Sequence, residues 1–357
     1  MILAIIAIIL SLILVIGIHE LGHAIVARWC HVSIKAIAIG FGRPLFHWQD
    51  RKGRDWIWGV WPVGGYVHLL NTRHTAVSAQ HHPHCFDKKP IWIRVVILLA
   101  GAGANMLMAW LALTLVFCLG YPQTVPIIAR VLPNSLAEQA HFKQGDRLST
   151  IASQPTPSWQ KVGMQLLENL GHAATGVTVC DARQTCRQLT LNLQQWQTTK
   201  PTQSLLTKIG IEPDNHKQYQ QQVSGIPVLA AMKQAWITIT ELLTFYVITL
   251  KQLITGAIPF LFLLGPFGLL ITMIDSFLQG LVVFLSFIAH LSLAVALVNL
   301  LPIPSLDGGS IVYTLIEKLR GKPMSIAFEL LLHRLVFIGL CVFFINLLLN
   351  DLQRYFG

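Results

Sequence analysis

Residues 2–18 are almost entirely Ile, Leu, Ala and Val, and the run passes without a break into HELGHAIVARW. Together the two stretches reach the ~20 residues an α-helix needs to cross a hydrocarbon core. No Lys or Arg precedes Arg28, so the basic start of a cleaved signal peptide is missing. Residues 2–28 are therefore expected to form a first transmembrane helix. Further apolar runs at 91–120, 280–302 and 333–350 read as three more. Composition agrees: 54% of the chain is hydrophobic and 12% charged, far from the balance of a soluble protein.

Between these runs the character changes. Residues 29–90 are polar and mixed, with ten Lys or Arg when the flanking Arg28 and Arg94 are counted. Within them KAIAIGFGRPLFHW and DWIWGVWPVGGYVHLL alternate as β-strands do, broken by Gly and Pro. Residues 121–225 read as a small soluble domain, with strand-like PIIARVL, GVTVC, QLTLNL and TKIGIEP and a helix-like segment at 158–170. The net charge of +10 is spread through loops, with no basic stripe that would point to nucleic acid. Positive loops that set membrane topology and meet anionic head groups account for it.

His19-Glu20-Leu21-Gly22-His23 is an HExxH pattern. Positions i and i+4 share a helix face, so His19 and His23 can bind one Zn²⁺, and Glu20 is placed to serve as general base. Two histidines in an ordinary helix would be the plainer reading. Three ionisable residues inside an apolar span, however, are costly and by default mark function. A third ligand is expected, with one position left for water. Asp307 is the best candidate, in ALVNLLPIPSLDGG, where Pro302 and Pro304 break the helix and Gly308-Gly309 free the backbone. A lone Asp at a helix end is commonly a cap; paired with HExxH it reads as a metal ligand.

Parity then constrains 226–279. For Asp307 to reach the face where His19 and His23 lie, this stretch must cross the membrane an even number of times. Zero crossings, with amphipathic helices along the interface, is the expectation, giving four spans. The sides holding 29–90 and 303–332 carry clustered Lys and Arg, including Lys318, Arg320 and Lys322, and are expected to be cytoplasmic. The 121–225 domain then lies outside. There Cys180 and Cys186 are either bridged or two free thiols. His81-His82-Pro83-His84-Cys85 could bind metal, but a solvated loop is the preferred reading.

HELGH near the start, GGYV, and NLLPIPSLDGG near the end resemble the site-2 protease family of intramembrane zinc metalloproteases (M50-type), over nearly the whole chain. Within it, the likeness is greatest to the bacterial regulated intramembrane proteases that cleave an anti-sigma factor. The resemblance implies a polytopic α-helical membrane protein of the bacterial cytoplasmic membrane, active towards the cytoplasm. His19, His23 and Asp307 would bind zinc, and Glu20 would be the catalytic base. It further suggests that Asn299, with Pro302, holds substrate backbone, although Asn299 could equally be an interhelical hydrogen bonder. Gly64, Gly65 and Tyr66 match the end of a membrane-dipping β-structure that could pair with an extended substrate. PIIARVLPNSLAEQAHFKQGDRLSTIASQPTPSW looks like the opening of a PDZ domain; there is room for one such module where close relatives have two. Two further departures are Ala102 in place of a Pro ahead of Asn105, and Ser310 where relatives often have His.

These readings imply zinc-assisted hydrolysis of peptide bonds in single-span membrane proteins, anti-sigma factors and signal-peptide remnants being the candidate substrates. A polar cavity admitting water beside the first span is expected. The rivals are an inactive scaffold that binds substrate helices through its PDZ domain, and a zinc transporter. A transporter should space several metal-binding residues across the membrane, often with a repeat, and only one cluster and no repeat is found.

Overall fold

The computed structural model describes residues 2–356 apart from 52, 74, 195–204, 215 and 261–262. Helix α1 (Ile2–Leu12) runs through a π-helical segment (Ile13–Gly17) into α2 (Ile18–Trp29), forming one apolar rod of 28 residues. Strands β1 (Ile34–Gln49) and β2 (Asp55–Leu69) follow, then α3 (Ile91–Leu119). Next come β3 (Tyr121–Thr124), β4 (Ile128–Val131), α4 (Leu136–Gln139), β5 (Arg147–Ile151), β6 (Gln154–Pro155), α5 (Trp159–Glu168), β7 (Thr175–Cys180) and β8 (Cys186–Leu191). The chain continues through α6 (Leu205–Ile209), β9 (Ile211–Pro213), β10 (Gln220–Val223) and α7 (Val228–Ile254). Helices α8 (Pro266–Leu278), α9 (Leu281–Asn299), α10 (Asp307–Arg320) and α11 (Ile326–Phe356) complete it.

Two compact units emerge. The first comprises Met1–Leu115, Val228–Ile239 and Leu270–Phe344. Its long strands β1 and β2 are each bent, with left-handed backbone at Gly40, Gly42 and Gly64 that a β-carbon would strain. As a result residues 34–39 pair on one side with 65–69 and on the other with 55–58, while 46–49 pair with 55–58. The two β-like runs of the sequence are thus strands, folded into a four-segment sheet with 65–69 outermost.

In the same unit, Val15 packs with Phe284 and Ile288 of α9, and small residues let helices approach closely. A β-carbon on Gly22 would fall 2.5 Å from the Ala100 carbonyl oxygen and 2.7 Å from the Ala104 side chain, so α2 and α3 meet nearly backbone to backbone. Arg94 at the start of α3 donates to both Glu317 oxygens at 2.9 and 3.0 Å, tying α10 to α3. Helix α3 runs unbroken through Ala102, the position where a Pro would have removed a backbone donor.

The second unit comprises Val116–Pro227, Thr240–Leu269 and Ile345–Gly357. Its centre is a four-stranded antiparallel sheet ordered β6-β5-β7-β8, beside the pairs β4-β9 and β3-β10. The inward faces of these strands and α5 bury Ile128, Leu148, Ile151, Val162, Leu166, Val179 and Leu191. Ser135 and Ser158 cap α4 and α5 by accepting from the amides of Glu138 and Lys161. The segment TKIGIEP, read as a strand, is one only from Ile211; before it lies α6, and the turn needs left-handed Gly210 packed against Ser135. Cys180 and Cys186 face each other across the β7–β8 hairpin and are disulfide-bonded.

Among the described residues, five helices are long and apolar enough to cross a membrane: Ile2–Trp29, Ile91–Leu119, Val228–Ile254, Leu281–Asn299 and Ile326–Tyr355. Four match the expected spans. The fifth, α7, was expected to lie along the interface; its length and apolarity alone would suit a crossing. The fourth span is longer than the apolar run suggested, because helical periodicity continues through Glu329 and Asp351, which are buried inside protein contacts. Helix α10 was not anticipated within 303–332.

Candidate metal centre

His19 and His23 project from α2 one turn apart, with their rings edge to face and Nε2 atoms 3.2 Å from each other. Asp307 Oδ2 lies 3.1 Å from His19 Nε2 and 3.2 Å from His23 Nε2, although 288 residues separate Asp307 from His19. Among the described residues this is the one group of three His, Cys, Asp or Glu side chains with ligand atoms converging. Both histidines and Glu20 are buried.

Local sequence explains each placement. Three successive anion-poor turns of Ile and Leu lead through the π-helical segment, which ends at Gly17, directly ahead of the motif. Such wider turns recur at functional sites because they re-aim the side chains that follow. Asp307 opens α10, where the free amides of a helix start favour a negative side chain. Gly308 and Gly309 lie against the carbonyls of Leu300, Leu301 and Ile303, where any β-carbon would collide, so the loop after α9 folds tightly over the start of α10. Burial pushes the Asp307 carboxyl up, but hydrogen bonds to His19 and His23 outweigh that and hold its pKa below the ordinary range.

The donor set fits a zinc ion. Two imidazoles and one carboxylate match the known catalytic combinations, with one position left open. Gly101 supplies a second test. A β-carbon there would overlap His23 Nε2 and sit 2.7 Å from His19 Nε2, so its absence keeps the space between the donors clear. His23 Nδ1 lies 2.8 Å from the Ile97 carbonyl oxygen, to which it donates when Nε2 is the ligand. Gly101 and Ile97 were not singled out in the sequence. The Gly101 signal was present, in the run of small residues Ala100–Ala104 within α3.

The remaining predicted residues fall in different places. Gly65 approaches Glu20 closely: its β-carbon would lie 2.9 Å from Glu20 Cγ and 2.8 Å from the Ala38 carbonyl oxygen. Gly64 beside it is left-handed, and Tyr66 is exposed. Asn299 ends α9 half-buried, and its Nδ2 donates 3.1 Å to the Val295 carbonyl. Pro302 is exposed in the loop ahead of Asp307. In the His81–Cys85 stretch, the rings of His82 and His84 face the carbonyls of Val77 and His31. A cavity of about 160 Å³ is present among Arg73, Phe86, Arg94, Tyr313, Leu330 and His333, and none of His19, His23 and Asp307 borders it.

The profile of Peptidase family M50 matches residues 7–345. The chain is 27% identical to the regulator of sigma-E protease RseP of Salmonella typhimurium over 444 aligned positions, covering 98% of each protein. It is 26% identical to the protein of the same name from Escherichia coli K12, covering 97% of each. A Vibrio cholerae protein whose name places it among zinc metalloproteases is 31% identical over 66% of this chain and 52% of its own length.

Proposed function

Because the chain belongs to Peptidase family M50 and is an intramembrane zinc metalloprotease of regulated proteolysis, we propose that His19, His23 and Asp307 hold its zinc and that Glu20 is the catalytic base. The observation that carries this reading is the meeting of Asp307 with two imidazoles from the other end of the chain, next to a buried glutamate. When bound, zinc supplies Lewis acidity that activates water and polarises the scissile carbonyl. Glu20 takes a proton from the attacking water and delivers it to the leaving amine nitrogen. Gly65 brings the 65–69 segment against Glu20, so an extended substrate laid along that segment would present its backbone to the base. Asn299 and Pro302, at the close of α9 and in the loop before Asp307, would hold the other side of that backbone.

The substrates proposed are single-span membrane proteins, anti-sigma factors among them; the Salmonella relative is named as a regulator of sigma-E protease. Residues 121–225 are proposed as a single PDZ-like module, supported by the capped α4, the left-handed Gly145 before β5, and the four-stranded sheet. Aligned positions outnumber the residues of this chain, so the relative holds stretches without a counterpart here, together long enough for a small domain.

The disulfide supports placing that module outside the cytoplasm of a bacterial inner membrane. We keep four crossings, with residues 226–279 as an interfacial region between the 1–120 and 280–357 membrane halves. Glu241 and Gln252 of α7 are satisfied by α5, through Lys161 Nζ at 2.5 Å and the Leu167 carbonyl at 2.7 Å. Lipid-facing turns would leave them without partners.

The test compares wild type with Glu20→Gln in proteoliposomes carrying a tagged single-span substrate. Wild type is expected to cut within the apolar segment, while Glu20→Gln keeps about one zinc and loses roughly 10²–10⁴-fold in rate. Equal cutting by both proteins would remove Glu20 from the mechanism.

A further inference from the structure

Asn105 is wholly buried in α3, and its carboxamide makes one hydrogen-bond contact, to His19 Nδ1 at 3.4 Å. The other end of the amide, Oδ1, meets no partner. An amide buried without full pairing among apolar helices is costly. Here its polar capacity is directed at one of the two imidazoles of the metal centre.

The chemistry of imidazole decides which end of the amide matters. A neutral ring carries a single N–H, and binding zinc through Nε2 puts that hydrogen on Nδ1. Nδ1 is then a donor and needs an acceptor. His23 has one in the Ile97 carbonyl. For His19 the group in reach is Asn105, and carboxamide oxygen and nitrogen exchange places by a half-turn of the side chain. With the oxygen towards His19, the pair matches that of His23; with the nitrogen towards it, two donors would oppose each other.

The spacing makes this a designed pairing. Ile97, Gly101 and Asn105 stand at successive intervals of four on α3. Gly101, in the middle, lets the helix approach both rings, while the residues on either side reach their outer nitrogens. The order is inverted, His19 with 105 and His23 with 97, as it must be for antiparallel neighbours.

We propose that Asn105 is a positioning residue of the metal centre, its carboxamide oxygen accepting the Nδ1–H of His19 and so fixing the ring and tautomer that offer Nε2 to zinc. This rests on the reading of His19, His23 and Asp307 as zinc ligands. The experiment is zinc competition against a chelator with detergent-solubilised full-length protein, subtracting zinc that a His19→Ala/His23→Ala double variant also holds. Asn105→Leu is expected to weaken zinc binding about 10–100-fold. Asn105→Asp, which keeps an acceptor, is expected to stay within about threefold of wild type. Trp110→Phe, which removes a hydrogen bond of α3 to the Met232 carbonyl away from the site, should leave affinity unchanged. Zinc affinity within twofold of wild type in Asn105→Leu overturns the proposal, as does an Asn105→Asp variant that has lost zinc. If Asn105→Leu does not fold, Asn105→Asp decides alone, retention supporting an acceptor and loss overturning it. Wild type without specific zinc would overturn the ligand reading itself, and this inference with it.

Discussion

In the β/α domain the buried side chains are large and apolar: Leu148, Ile151, Leu166, Val179 and Leu191 fill one cluster. In the helical unit they are mixed: Ala102, Asn105, Ala109 and Ser292 lie inside together with Val15, Ile97, Phe284 and Ile288, while Leu99, Leu107, Leu111 and Leu115 are exposed. Water enforces the first pattern by expelling apolar surface. Lipid gives no such push, so helices there associate through close packing and polar contacts, and leucine is left to face the hydrocarbon. Stability and chemistry are thereby separated. The domain is held by burial, whereas the interior of the helical region is free to hold ionisable groups.

The sharpest break of that contrast is at Gly101. Gly101→Ala puts a methyl between the proposed zinc donors, and overpacking of about 1–3 kcal/mol corresponds to a loss of about 5–150-fold in zinc affinity. Metal analysis after dialysis against a chelator checks it; retention of full zinc would show that the donors can part to admit a side chain. In the domain, Leu148→Ala should cost about 2–5 kcal/mol of its stability with zinc content intact. The matching change on the lipid side, Leu107→Ala, should shift stability by under about 0.5 kcal/mol, since no cavity forms. Thermal melts of both variants, read beside zinc content, separate the two regions.

Removing the β7–β8 bridge by Cys180→Ser/Cys186→Ser is a smaller perturbation. Closing so short a loop is worth about 2 kcal/mol on the chain-entropy scale, and the domain should melt lower by that amount. An unchanged melt would mean that the hairpin is held by its ladder alone.

The smallest effect concerns Asp87, outside the spans. Burial raises its carboxyl pKa, but hydrogen bonds from the Thr72 amide and hydroxyl outweigh that and lower it overall. A depressed folded pKa stabilises fully above the unfolded value of about 4 and fades as pH falls through the folded one. The stability difference between wild type and Asp87→Asn should therefore shrink on acidification from about pH 6 to 3. A difference independent of pH would show that the charge contributes nothing.

Much of this was legible in the residues. Uninterrupted Ile and Leu runs announce membrane helices, and HExxH with a distant LDGG points to the three side chains that the fold brings together, because costly groups in apolar surroundings have few other reasons to be there. The bent β1 and β2 were visible as alternation, but their fold-back depends on the φ of Gly40, Gly42 and Gly64, which alternation does not encode. The π-helical segment before His19 left no trace in a run of Ile, Leu and Val. Helix α7 was ambiguous in principle: a stretch that is apolar and yet carries Lys233, Glu241 and Lys251 reads differently according to what its polar groups meet. The environment of Asn105 is likewise a product of assembly, since its partner lies on another helix.

The 288 residues between His19 and Asp307 also set a clock. At 5–20 residues per second, roughly 15–60 s of synthesis separate the two imidazoles from the carboxylate that completes them. On the proposed ligand set, the nascent chain would during that interval hold its base and two of three ligands, yet remain unarmed. A peptidase assembled in that way would be unable to attack neighbouring helices, or its own, until Asp307 has been made.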